Sequence, residues 1–174
     1  MRQSKMRLDP VIRLRFVTNM TKNIDTALAA LNLTLPIAAA PVADYVPTVE
    51  VNGMLFVSGQ LPFKNGEVMQ GRLGEDRDIA AGQEAAQACA LMIVAQLKAA
   101  LGDLDRVERI VRLGVFVASD DRFTDQPKVA DGASSLMVAL FGEAGKHARA
   151  AVGVPVLPRG AMVEVDAIVA VRPA

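Results

Sequence analysis

Residues 148–172 read ARAAVGVPVLPRGAMVEVDAIVAVR, and their alternation decides the fold. Successive side chains of a strand point to opposite faces. From position 163 every second residue is apolar: Val163, Val165, Ala167, Val169 and Val171. Glu164 and Asp166 lie opposite them, together with Ile168 and Ala170. In the preceding segment Ala150, Val152 and Val154 share one face, while Arg149, Ala151 and Gly153 share the other. An arginine followed on its own face by a small residue and a glycine leaves space above that face. Two strands are therefore predicted, 149–156 and 161–172, joined by Leu157-Pro158-Arg159-Gly160. They belong to a sheet with a Val-rich face for helices and a second face carrying isolated charges.

The chain on either side fits the same sheet. Residues 107–118 (VERIVRLGVFVA) predict a third strand, apolar on both faces from Leu113 onward as in a central strand. A helix at roughly 127–141 follows, with Val129, Ala133, Leu136, Met137 and Leu140 inward and Gly142 and Gly145 at its exit. Upstream, a long helix starts at Asp78 as N-cap, carries Ala86, Ala90, Ile93, Leu97 and Leu101 on one face, and stops at Gly102. Before it, Thr48–Val51 and Met54–Val57 flank Asn52-Gly53, the strongest short hairpin signal. That strand runs out at Ser58-Gly59-Gln60 into a loop around Pro62 and Gly66. Residues 33–45 read as a Pro-punctuated arm. Residues 21–32 read as a helix capped by Thr21, with Ile24, Ala27, Leu28 and Leu31 as its stripe. The basic segment 1–19 reads as an extension ahead of a start at Met20, or else as a basic targeting arm. The expected architecture is α+β: one domain over 20–174, two main helices on one face of a mixed sheet, and an N-terminal helix.

Composition narrows the function. Nineteen basic residues balance nineteen acidic ones among 174, without the basic excess that phosphate neutralisation asks of a nucleic-acid binder. One Cys makes no intrachain disulfide, and one Cys with one His leaves the usual zinc ligand set unfilled. No uninterrupted apolar run reaches the roughly 18 residues of a membrane span. There is no P-loop, no dinucleotide fingerprint and no G-x-S-x-G elbow. The expectation is a cytoplasmic protein working without metal or cofactor on a small molecule.

Several side chains carry chemistry in either of two ways. Arg149 is a bidentate carboxylate clamp or one half of an ion pair. Glu164 holds a water and passes protons, or pairs with a neighbouring cation. Ser58-Gly59 offers a hydroxyl and an open backbone N–H to a ligand, or is an ordinary strand exit. His147 lacks a nucleophile motif and reads as structural, and Cys89 reads as a small buried hydrophobe. A half-apolar, half-charged second face calls for cover, which oligomerisation supplies; a ligand site between subunits follows.

The segments Asp44-Tyr45-Val46-Pro47, Asn52-Gly53-Met54-Leu55-Phe56-Val57-Ser58-Gly59-Gln60-Leu61-Pro62, Ala148-Arg149-Ala150-Ala151-Val152 and Leu157-Pro158 to Val163-Glu164-Val165 resemble the RidA family, also called YjgF or the L-PSP endoribonuclease family. The resemblance spans about residues 42–172 and points to a longer-chain subgroup. It implies a chorismate-mutase-like fold of the bacillus type, a homotrimer with ligand clefts between subunits, and no cofactor. It also implies hydrolysis of reactive enamines or imines, such as 2-aminoacrylate, to a 2-keto acid and ammonia, as by a 2-iminobutanoate/2-iminopropanoate deaminase. Carried over by position, Arg149 binds the substrate carboxylate, Glu164 orients the attacking water, Tyr45 lines the cleft, and Ser58 with Gly59 forms its floor. Two positions depart from the pattern. Ala151 stands where a cysteine is common, and the asparagine usual on the second main helix falls near Ser134, a substrate-binding candidate, with Asp131 a turn before it. A non-catalytic metabolite-binding module is the alternative, and a ribonuclease is the weakest reading.

Overall fold

The protein is described by a computed structural model covering residues 23–40 and 44–173. In chain order its elements are α1 (Ile24–Ala30), β1 (Thr48–Val51), β2 (Met54–Gln60), β3 (Phe63–Lys64), β4 (Glu67–Val68), α2 (Ile79–Leu101), β5 (Val107–Ala118), α3 (Gln126–Phe141), β6 (Ala148–Val154) and β7 (Val163–Val171). The main sheet has the order β1-β2-β7-β5-β6. Only the β5–β6 pair is parallel, because α3 carries the chain from one end of the sheet back to the other; the remaining pairs are antiparallel.

The alternation of β7 holds: Val163, Val165, Ala167, Val169 and Val171 are buried and the residues between them are half-buried. Beneath that face lies α2, whose Ala86, Cys89, Ala90, Ile93 and Leu97 join the core with Val129, Ala133, Met137 and Leu140 of α3. By length and composition α2 would suit a membrane crossing, although polar residues interrupt its apolar runs; here its apolarity is used to fill the space between sheet and α3. Its ends are those predicted. The Asp78 carboxylate accepts from the Ala81 N–H at 2.8 Å, and Gly102, at φ 73°, donates to the Lys98 carbonyl at 2.9 Å.

Some boundaries differ from expectation. Helix α1 spans Ile24–Ala30 rather than 21–32, and its cap is Asn23, whose side chain accepts from the Asp25 N–H at 2.9 Å. Thr21 and the extension at 1–19 lie outside the described residues. The predicted loop around Pro62 and Gly66 is a second small hairpin, β3–β4, because Asn65 (φ 54°) and Gly66 (φ 84°) form the tight turn that such a pair favours. The strand predicted over 149–156 ends at Val154, since Pro155 has no N–H for the ladder. The last strand starts at Val163, because Ala161 and Met162 still belong to the exit of the Pro158–Gly160 turn.

The sheet's other face is uncovered in the single chain. Val49, Val51, Phe56 and Val152 are each more than two-fifths exposed there. The isolated charges expected on this face are partly paired: Asp166 accepts from Arg112 Nη1 at 3.2 Å and from the Gly114 N–H at 3.0 Å.

Candidate functional site

The site begins with a flaw in the β2–β7 ladder. Val57 pairs with Ala167 and Gln60 with Val165, so three steps along β2 face two along β7. The extra residue is absorbed as a bulge at Ser58-Gly59, a feature that re-aims side chains. Beneath it, Gln60 is buried, donates from Nε2 to the Ser58 carbonyl at 3.0 Å and to Ser58 Oγ at 3.2 Å, and accepts from Gln96 Nε2 at 3.3 Å. Gln96 also donates to the Ala39 carbonyl at 2.8 Å, tying the arm before β1 to α2. Since Ser58 Oγ already accepts from Gln60, its own proton is left for a ligand.

Above the bulge opens a hollow of about 460 Å³ whose wall includes Tyr45, Ser58, Gly59, Phe63, Arg159 and Glu164. The Glu164 side chain lies directly over Gly59, and a Cβ at Gly59 would overlap its carboxyl. A glycine inside a strand commonly marks such a close approach. Burial first, and the neighbouring Asp166 charge second, hold the Glu164 carboxyl above its ordinary range. That favours a group able to take up and give back a proton closer to neutrality. The nearby Cys89 thiol is different: fully buried, it is pushed well up by burial and then by the Glu164 charge, and it donates to the Val163 carbonyl at 3.5 Å. It is the inert small hydrophobe expected.

Arg149 lies elsewhere. Its register partner Leu113 is buried toward the helices, so Arg149 shares that side of the sheet, opposite Glu164. There Nη1 donates to Asp131 Oδ1 at 2.9 Å and to Ser134 Oγ at 3.0 Å, and Nη2 donates to the Pro127 carbonyl at 3.1 Å. Both Asp131 and Ser134 of α3 therefore reach the arginine. The space predicted above its face is taken up by α3 beside Arg149, and opens only toward Gly153, in a hollow of about 370 Å³ walled by Arg72, Ser119, Phe123 and Gln126. Ser134 also stands 3.0 Å from His147 Nε2, while His147 Nδ1 lies 2.6 Å from the Gly145 carbonyl. With the Nδ1 proton on that carbonyl, Ser134 donates to His147 and accepts from Arg149. Among the described residues, no group of three or more His, Cys, Asp or Glu side chains is placed to hold a metal.

Of the predicted residues, Tyr45, Ser58, Gly59 and Glu164 thus come together in one hollow. Arg149 and Ser134 form a second cluster across the sheet, and a single chain does not unite the two. Sequence reasoning missed the Gln60–Gln96 support and the place of Arg159. A glutamine at 96 within the apolar run of a core helix was the available signal for the first; the second carried none.

Residues 25–170 match a family model described as "YjgF/chorismate_mutase-like, putative endoribonuclease". Protein TCP17 of Trypanosoma cruzi is 55% identical over 144 residues, 82% of this chain and 90% of that protein. The crystal structure of Atu1372, a protein of unknown function from Agrobacterium tumefaciens, is 44% identical with a TM-score of 0.82, covering 91% of this chain and 99% of that one. The structure of Escherichia coli TdcF with bound serine is 25% identical with a TM-score of 0.56, over 78% of this chain and 94% of that one.

Proposed function

The chain belongs to the YjgF/chorismate-mutase-like family that includes RidA, and on that premise we propose that it hydrolyses small carboxylate-bearing imines and enamines to a 2-keto acid and ammonia. The observation that carries this reading is the hollow joining a half-buried carboxyl, Glu164, held above its ordinary range, to the Ser58-Gly59 bulge. Water adds to the imine carbon as Glu164 takes one of its protons and passes it to the imine nitrogen, giving a carbinolamine. Glu164 then takes the hydroxyl proton of that carbinolamine and hands it to the amine nitrogen, which leaves as ammonia while the carbonyl forms. An enamine first gains a proton on carbon and loses one from nitrogen, and so enters as the imine. No redox partner is needed, and the acid's raised proton affinity suits both halves of the cycle.

The working form is a homotrimer in which Arg149 of a neighbouring copy meets the Glu164 hollow. The exposed apolar residues of the uncovered sheet face support an assembly. In the single chain Arg149 is held by Asp131, a carboxylate; a substrate carboxylate takes that place by exchange of like for like. The serine bound to TdcF, a small molecule with a carboxylate, agrees with the substrate class. A ribonuclease reading finds little support in a chain with equal numbers of basic and acidic residues and one histidine.

The test is ammonia release from imino acids generated in situ by an amino-acid oxidase. Wild type accelerates release over buffer, and Glu164→Gln and Arg149→Ala each remove most of that acceleration while the assembly stays intact. Full turnover in either variant, or no acceleration by wild type, sinks the reading.

A further inference from the structure

Four non-glycine residues among those described have positive φ: Asn32, Asn52, Asn65 and Arg159. Asparagine tolerates this conformation through its short polar side chain. Arginine has no such excuse, and at φ 58°, ψ 18° its backbone is strained. Strain of this kind is kept where the surroundings hold it, and it clusters at ligand sites. The surroundings here are explicit. Gln70 Nε2 donates to the Arg159 carbonyl at 2.8 Å, and the Gly71 N–H donates to the Gly160 carbonyl at 3.2 Å. The side chain leans on the hollow's wall, its guanidinium carbon 5.4 Å from the centre of the Phe63 ring. The ion pairs among the described residues do not include it. A cation that is stacked on an aromatic ring and unmatched by a carboxylate keeps its planar donor fork for a ligand. Among the described residues, Arg159 is also the cation lining the hollow that holds Glu164.

We propose that Arg159 is a specificity-determining residue, which binds a second acidic group on the substrate so that the Glu164 hollow favours imino acids with an acidic side chain over those with a short alkyl one. This rests on the deaminase reading above. The Arg149 cluster holds the carboxylate beside the reacting carbon, and Arg159 takes the distal one.

The test compares imines derived from glutamate and from alanine, with Arg159→Asn chosen because asparagine keeps the left-handed backbone. In wild type the glutamate-derived imine has the lower KM. In Arg159→Asn its KM rises by about tenfold, as loss of one charge-assisted pair implies, while KM for the alanine-derived imine and kcat for both hold. Arg159→Lys, with charge but no fork, falls between. No preference in wild type, or an equal loss on both substrates, overturns the proposal. Calorimetric binding of 2-oxoglutarate against 2-oxobutyrate separates the two readings. Tighter Arg159-dependent binding of the dicarboxylate without ammonia release upholds the arginine's role and sinks the deaminase. Ammonia release with binding indifferent to Arg159 does the reverse.

Discussion

At position 164 a carboxyl half withdrawn from water sits beside a second carboxylate, Asp166, and over a glycine. Because its proton affinity is raised in the folded chain, the native state holds a proton that the unfolded state has released, over the pH window just above the ordinary carboxylate range. Stability therefore falls as pH rises through that window. Glu164→Gln removes the titration, so urea denaturation at several pH values should give a flatter profile and no loss of stability at neutral pH. Activity moves oppositely and disappears. Gly59→Ala probes the same carboxyl from below. A Cβ there displaces the Glu164 carboxyl, so kcat should drop by about tenfold or more from misplacement alone, with thermal unfolding little changed. A Gly59→Ala enzyme with wild-type kcat would show that the carboxyl's position is immaterial.

Between elements, two contacts set the geometry. Helix α3 approaches α2 so closely at Gly132 that an added Cβ would overlap the Gln83 carbonyl, which is backbone and cannot swing away. Gly132→Ala should cost about 1–3 kcal/mol in chemical denaturation; a neutral substitution would mean that the helices part readily. Among the links from α3 to β6 is the Arg149–Asp131 pair, 2.9 Å apart with Asp131 more than half exposed. Such a pair adds little stability, so its interest is functional. Asp131→Asn leaves the arginine easier to recruit, and KM for a carboxylate-bearing imine should fall severalfold with kcat unchanged. A rise in KM would assign Asp131 the opposite role, holding the arginine in its productive pose.

At the scale of the whole molecule, the uncovered sheet face decides the outcome. Phe56 pairs in register with Ile168 near its middle and is 43% exposed. Phe56→Asp puts a charge where a neighbouring copy would bury a ring. Analytical ultracentrifugation should find a trimer in wild type and smaller species in the variant, and ammonia release should fall in parallel if the proposed meeting of Arg149 and Glu164 across copies makes the site. A monomeric variant with full activity would detach the chemistry from the assembly.

Much of this was written locally. Periodicity along β7 and α3, the Asp78 and Gly102 caps and the Asn52-Gly53 turn are short-range properties, set by sterics and by hydrogen bonds between near neighbours. The sequence by itself therefore determined the main elements, their order and the Val-rich face that α2 and α3 cover, though not the small β3–β4 hairpin. Which charges share a space depends on register, on a bulge and on which side of the sheet an edge strand turns, and no local pattern encodes those. Only the tertiary structure put Glu164 over Gly59, set Arg149 beneath α3 on the opposite side, and brought Arg159 from a connecting turn into the hollow.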